Sequence, residues 1–264
     1  MSVFYLGTHQ PHWLSHTSYP LFVSHRQLAR RRTPLRPATY PWALDSGGFT
    51  ELTLHGRWVT PAAEYAEAAD RYASQAGRLA FAAPQDWMCE PAILARTGLT
   101  VREHQDRTIA SYLQLTSLAP HLPFIPVLQG WTLTDYLHCV RLYRDAGVDL
   151  TQQPLTGLGS VCRRQSTTQI AAIVTTLALA GIRLHGFGIK TTGLRRYGHL
   201  LASADSMAWS YAARRTAPLP GCTGHRNCAN CLTYATAWRH RMLTRTAATG
   251  WQPTLFDPPE EVAA

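Results

Sequence analysis

Six apolar runs in this chain end on, or next to, a group that can touch a ligand. Trp42-Ala43-Leu44 stops at Asp45, and Ser46-Gly47-Gly48-Phe49 follows at once. The others stop at or near Asp86, Gln129, Gly159, Gly188 and Asp205. A short continuous apolar run reads as a buried strand, and glycine at its tip lets the backbone approach a ligand closely. Polar groups gathered from the ends of successive buried strands are how a (β/α)8 barrel builds a site. The expected fold is α/β, a (β/α)8 TIM-like barrel.

The spacing of the remaining elements fits that fold. Strands are expected at Val3–Thr8, Leu21–Ser24, Trp42–Asp45, Leu79–Ala83, Phe124–Gln129, Leu155–Ser160, Arg183–Ile189 and Ala204–Trp209. Helical periodicity fills several of the gaps: Pro61 to about Gln75, Val101 to about Leu118, Thr134–Ala146 closed by Gly147, and Thr167–Ala180 closed by Gly181. Strand and helix in alternation, with glycine at helix ends, argue for parallel βαβ units. Residues 1–215 are read as the barrel, with a loop-rich, arginine-rich insertion at 14–40. A zinc-binding segment and packing helix follow at 216–248, and a disordered Pro-rich, acidic tail at 249–264.

Composition narrows the partners. The chain has 264 residues and a net charge of +9, and Lys190 is its only lysine. Arginines cluster at Arg30-Arg31-Arg32, Arg163-Arg164, Arg195-Arg196 and Arg214-Arg215, a pattern that attracts a polyanion such as nucleic acid. A solvated, arginine-rich surface is the plainer alternative. No run of about 18 apolar residues is present, so no membrane span is expected. The first residues lack the basic start and apolar core of a signal peptide, and a cytoplasmic location is expected.

In a reducing compartment, cysteines read as metal ligands or buried thiols rather than disulfides. Cys222, His225, Cys228 and Cys231 fall within ten residues. Tetrahedral zinc takes four nitrogen or sulfur ligands, and Cys-x2-Cys is half such a site. The fourth ligand is His225 or, folding back from the next helix, His240. No position is left for water, so a structural zinc is expected.

Taken together, these motifs resemble those of the tRNA-guanine (queuine) transglycosylase superfamily, most nearly its smaller DpdA-like branch, which inserts 7-deazaguanines into DNA. The resemblance spans roughly Val3 to Arg245. Leu44–Phe49 is similar to the family's Asp-Ser-Gly-Gly-aromatic motif and Val127-Leu128-Gln129-Gly130 to its Val-Gln-Gly. Leu184–Gly188 resembles its strand ending in Gly-Val-Gly, and Ser203-Ala204-Asp205-Ser206 occupies the nucleophile position. Pro84-Gln85-Asp86 and Gly157–Ser160 sit at its base-reading acid and its Gly-Gly-Leu loop. The resemblance implies that Asp205 attacks the sugar C1′ and that Asp45 is the general acid/base. It further implies that Asp86 accepts from the base N1 and amine, and that Gln129 and the Gly130 amide contact O6. Ser46, Gly47, Gly159 and Gly188 would line the same site.

The tRNA enzymes carry an acid after the Gly-Gly-Leu loop, associated with an aminomethyl base. Ser160-Val161-Cys162-Arg163 has none, so a neutral, preQ0-like base is expected. DNA is the expected polymer and tRNA the runner-up. An inactive zinc-bearing nucleic-acid-binding barrel, and a glycosidase that releases the base to water, are the competing readings. Asp45, Asp86, Gln129 and Asp205 also have purely structural readings as turn caps or strand-end hydrogen-bonders. His9, His12 and Lys190 are secondary substrate candidates. Gln252–Phe256 is similar to the peptide by which DNA enzymes hook a sliding clamp; docking on the chain's own barrel is the alternative.

Overall fold

The computed structural model describes residues 3–162, 164 and 167–247. Arg163, the clamp-like Gln252–Phe256 and the expected disordered tail lie outside the described residues. Eight parallel strands are present: β1 (Val3–Thr8), β2 (Leu21–Ser24), β3 (Trp42–Asp45), β4 (Leu79–Ala82), β5 (Val127–Leu128), β6 (Thr156–Leu158), β7 (Leu184–Gly186) and β8 (Ser203–Ser206). The helices are α1 (His25–Leu28), α2 (Gly48–His55), α3 (Ala62–Ala76), α4 (Pro91–Thr97), α5 (Val101–Leu118), α6 (Leu133–Asp145), α7 (Thr168–Leu179), α8 (Thr191–Tyr197), α9 (Ala208–Ala213) and α10 (Leu232–Ala247). The strands form one sheet in the order β4-β3-β2-β1-β8-β7-β6-β5. Its two ends are joined: Ala82 bridges Phe124, the Ala82 N–H donates to Pro123 O at 3.0 Å, and the Ile125 N–H donates to Ala82 O at 3.1 Å. This is the eight-stranded α/β architecture expected from the strand tips.

Four strands are shorter than the apolar runs that announced them, and a fifth loses one residue, stopping at Ala82 rather than Ala83. Pro126 has no N–H to give, so the ladder of β5 starts only at Val127. Ser160 sits at φ 56°, outside the extended region, and β6 ends before it. β7 stops at Gly186, ahead of Gly188 at φ 63°. Trp209 belongs to α9 rather than to β8. Of the short helices not expected from the sequence, two carry legible signals. α4 opens with Pro at its first turn and closes on Gly98 at φ 71°. α2 runs between Gly47 and Gly56, both left-handed.

Side-chain alternation along the strands divides the core in two. Phe4 and Leu6 face outward with Trp42, Leu44 and Leu158 toward the helices. Tyr5, Phe22, Ala43, Phe81 and Ile125 face inward and fill the barrel, with Phe187 packed against them. The helices lay apolar stripes on the outer layer: in α3, Tyr65, Ala69, Tyr72 and Ala76 are buried at helical spacing. Capping boxes start α5 (Thr100 with Glu103) and α6 (Thr132 with Asp135).

The first βα unit has only a short 3-10 turn, Pro11–Ser15, where a barrel normally has an α-helix. The C-terminal helix takes over this face. Trp238 packs on Phe4 at a ring separation of 6.3 Å, Thr236 hydrogen-bonds Tyr19 at 2.6 Å, and the Arg239 guanidinium lies 4.8 Å over the Tyr19 ring. No described helix is long and apolar enough to cross a membrane.

Beside the seam between β8 and β1, Trp209 Nε1 of α9 donates to Gly7 O at 2.8 Å while its ring packs on Trp13. Trp209→Phe leaves that carbonyl unsatisfied. It should lower unfolding free energy by about 1–3 kcal/mol in a denaturant titration; an unchanged midpoint would show that the seam does not depend on this bond.

Candidate active site

Because side chains alternate, residues on the same strand face as the barrel plug emerge at the C-terminal rim. Asp45 follows inward Ala43, and Asp205 pairs in register with inward Tyr5. The rim encloses a cavity of about 320 Å³, whose wall includes Asp45, Asp86, Asp205, Gly47, Gly159 and Gly188. It is the position at which barrel enzymes carry their chemistry.

Glycine amides at strand tips hold two of the carboxylates, Gly47 after β3 at Asp45 and Gly188 after β7 at Asp205 on the neighbouring strand. Gly188 N–H donates to Asp205 Oδ1 at 2.8 Å. Burial pushes the Asp45 carboxyl up from its ordinary pKa; hydrogen bonds from Ser24 and from the Gly47 backbone oppose this, and the Asp205 charge adds to it. Gly47 sits at φ 85°, and a Cβ there would lie 2.7 Å from Arg26 Cγ, so the turn requires glycine. Arg26 itself lines the cavity and is fixed by Glu51 at 2.6 Å.

A second wall is a hydrogen-bonded chain. Gln129 Nε2 donates to Asp86 Oδ2 at 2.6 Å, Ser160 Oγ donates to Gln129 Oε1 at 2.7 Å, and Cys89 N–H donates to Ser160 Oγ at 2.7 Å. Ser160 Oγ also lies 3.3 Å from Glu90 Oε2. Burial, reinforced by the Asp45 charge and opposed by the Gln129 bond, pushes the Asp86 carboxyl up to about 7. Gly159 must lack a side chain because a Cβ would run into the Gln129 amide.

The expected residues do not all reach the wall. Gln129 is fully buried behind Asp86 and acts through that carboxylate. Gly130 is packed on the first turn of α6, where a Cβ would meet Asp135 and Tyr136, and it does not line the cavity. The Ser46 hydroxyl is buried with no hydrogen-bond partner among the described residues. His9 lines the cavity, its pKa lowered by burial and by the charge of Arg214; His12 and Lys190 do not line it. Glu90, Phe187 and Met207 line it and were not anticipated. Glu90 is buried just before the first turn of α4 and has no strand-tip signature. Phe187 and Met207 could have been found, as the residues two after inward His185 and Asp205.

The metal cluster is compact. Ligand atoms of Cys222, His225, Cys228 and Cys231 all lie within 4.8 Å of one another. The Cys222–Cys231 sulfurs are 3.9 Å apart, close to the separation of about 3.8 Å that tetrahedral Zn–S bonds of about 2.3 Å imply. His225 completes the set, and exposed His240 is not part of it. Cys231 directly precedes α10, and Ala229 O accepts from Ser210 of α9 at 2.8 Å. A metal here would fasten α9 and α10 together, and none of its four ligands lines the cavity.

Two outcomes follow. Cys228→Ser should release the bound metal, read by elemental analysis, and lower the melting temperature by several degrees; retention of both would remove the cluster from the metal account. For Asp86, the unfolded carboxyl titrates at its ordinary 3.8 and the folded one at about 7. Its contribution to stability therefore falls as pH rises between those values. Asp86→Asn should match the parent at pH ~4 and exceed it by on the order of 4 kcal/mol at pH ~8. Lower stability of the variant at both pH values would contradict the shift.

No curated protein matches the chain. Among solved structures, one titled "putative isomerase" from Sinorhizobium meliloti aligns at 11% identity and a TM-score of 0.41, over 77% of this chain and 50% of that one. The chain thus spans half the length of that structure. The family model described as "DeoxyPurine in DNA protein A" (DpdA) matches residues 1–259. The chain belongs to the DpdA family of transglycosylases that modify DNA.

Proposed function

We propose that this protein exchanges guanine in DNA for a 7-deazaguanine base through a covalent aspartyl–sugar intermediate. The observation that carries the reading is the shared cavity: Asp45 and Asp205, from separate strands, face it together with the Gln129-backed Asp86.

One Asp205 oxygen bonds to the deoxyribose C1′ as the C1′–N9 bond breaks, and the bond pair goes to N9. Asp45, whose raised pKa lets it carry a proton, protonates N9, and guanine departs. The incoming base returns an N9 proton to Asp45, its N9 attacks C1′, and the Asp205 ester is released. Asp86 as carboxylate accepts from the base N1–H and amine. A base edge that offers an acceptor there leaves a buried acid unpaired, so adenine is rejected. Zinc would be structural, held by Cys222, His225, Cys228 and Cys231. A base stacked in a duplex cannot reach the cavity, so the target must be flipped out or unpaired. Arg26 on the wall, and Arg214, whose charge is felt at His9, are the nearest candidates for phosphate contacts.

The incoming base has two readings. The absence of an acid at Ser160–Arg163 favours a neutral, preQ0-like nitrile. Glu90, reaching Ser160 from another part of the chain, supplies a carboxylate that suits an aminomethyl group or other donor instead.

The test supplies labelled guanine, preQ0 and its aminomethyl counterpart to DNA and, in parallel, to unmodified tRNA. Label should enter DNA and be lost in Asp205→Ala, and Asp45→Asn should slow it by about 100-fold or more. Label in tRNA alone would overturn the assignment of polymer. Absence of label from both polymers would favour the inactive binding barrel.

A further inference from the structure

Directly beneath the cavity, the barrel plug contains a polar side chain that nothing above has used. His185 is fully buried on the inward face of β7. Four aromatic rings surround it: Phe81 and Phe187 at 4.8 Å, Phe22 at 5.7 Å and Tyr5 at 5.9 Å between ring centres. An apolar residue would suit these neighbours, and an imidazole must find partners for two nitrogens. Nδ1 has one, Ser203 Oγ at 2.8 Å. Nε2 has no aligned hydrogen-bond partner among the described residues, and the polar atom it faces is Asp205 Oδ1, 3.4 Å away.

We propose that His185 is a positioning residue for the nucleophile, donating from Nε2–H to Asp205 Oδ1; this rests on the reading of Asp205 as nucleophile. Ser203 sets the tautomer. When its hydroxyl donates to Nδ1, the ring proton sits on Nε2 and points at the carboxylate. The opposite tautomer would set a lone pair against a carboxylate oxygen. Gly188 N–H already donates to the same Oδ1 at 2.8 Å. With both donors on Oδ1, the carboxylate is fixed in rotation and Oδ2 is the oxygen that attacks C1′. A rigid nucleophile raises kcat rather than affinity, because it lowers the reorganisation needed in the transition state.

Two measurements on the full, metal-loaded chain test this. In the first, 15N-histidine labelling reads the His185 ring by NMR, alone and in Asp205→Asn. A neutral ring protonated at Nε2, whose signal moves in Asp205→Asn, is expected. A lone pair on Nε2, or a signal indifferent to Asp205, overturns the proposal. In the second, His185→Phe and His185→Gln are compared in base exchange. His185→Phe should lose about 100-fold in kcat with KM little changed. His185→Gln, which keeps a donor, should recover much of the loss at equal melting temperature and metal content. A folded His185→Phe with the parent's kcat, or equal losses in both variants, overturns it. If the unsubstituted chain exchanges no base, the reading of Asp205 fails by itself, and the NMR arm still decides whether His185 engages that carboxylate.

Discussion

Four carboxylates, Asp45, Asp86, Glu90 and Asp205, line one small cavity, and the cost of ionising them together governs the rest of the site. Asp45 and Asp86 are both pushed up by burial, and each is pushed further by a neighbouring acid. The structure answers with fixed donors: the Gly47 amide and Ser24 hydroxyl at Asp45, the Gln129 amide at Asp86, and the Gly188 amide at Asp205. These donors differ in number and strength, so the acids are not equivalent. Inequivalence is what a base-exchange reaction needs, since one acid must carry a proton while another attacks as an anion.

The barrel makes this arrangement cheap. Period-two alternation places the acids on the same inward faces as the aromatic plug. The plug closes the cavity floor and excludes water from below. Glycines at 47, 159 and 188 then clear the space that side chains would fill. The outer layer is less regular. A missing α-helix after β1 is replaced by α10, which the Cys-His cluster anchors at its start. None of the four cluster residues lines the cavity.

Much of this was legible in the sequence because buried strands announce themselves as apolar runs and stop where polar tips begin. Asp45 and Asp205 stand at such stops, and the strand count followed from them. Strand length was not legible: Pro126 and the left-handed Ser160 shorten the ladder without changing the apolar run. Glu90 was hidden because it reaches the cavity from the turn before α4, and a loop carboxylate beside Trp87, Met88 and Cys89 has no periodic signature. His185 was read as part of a glycine-rich strand end, since one sequence cannot show that its ring lies beneath an acid two residues into the neighbouring strand. The choice between His225 and His240 needed coordinates, because ligand spacing allowed both.

The central claim is that Asp205 forms a bond to DNA. Incubation with a guanine-containing oligonucleotide, followed by denaturation, proteolysis and mass spectrometry, addresses it directly. The account predicts an adduct in which a deoxyribose carbon is esterified to the peptide that holds Asp205, discharged on adding a 7-deazaguanine base. An adduct mapped to Asp45, or base exchange that proceeds in Asp205→Ala, would contradict it.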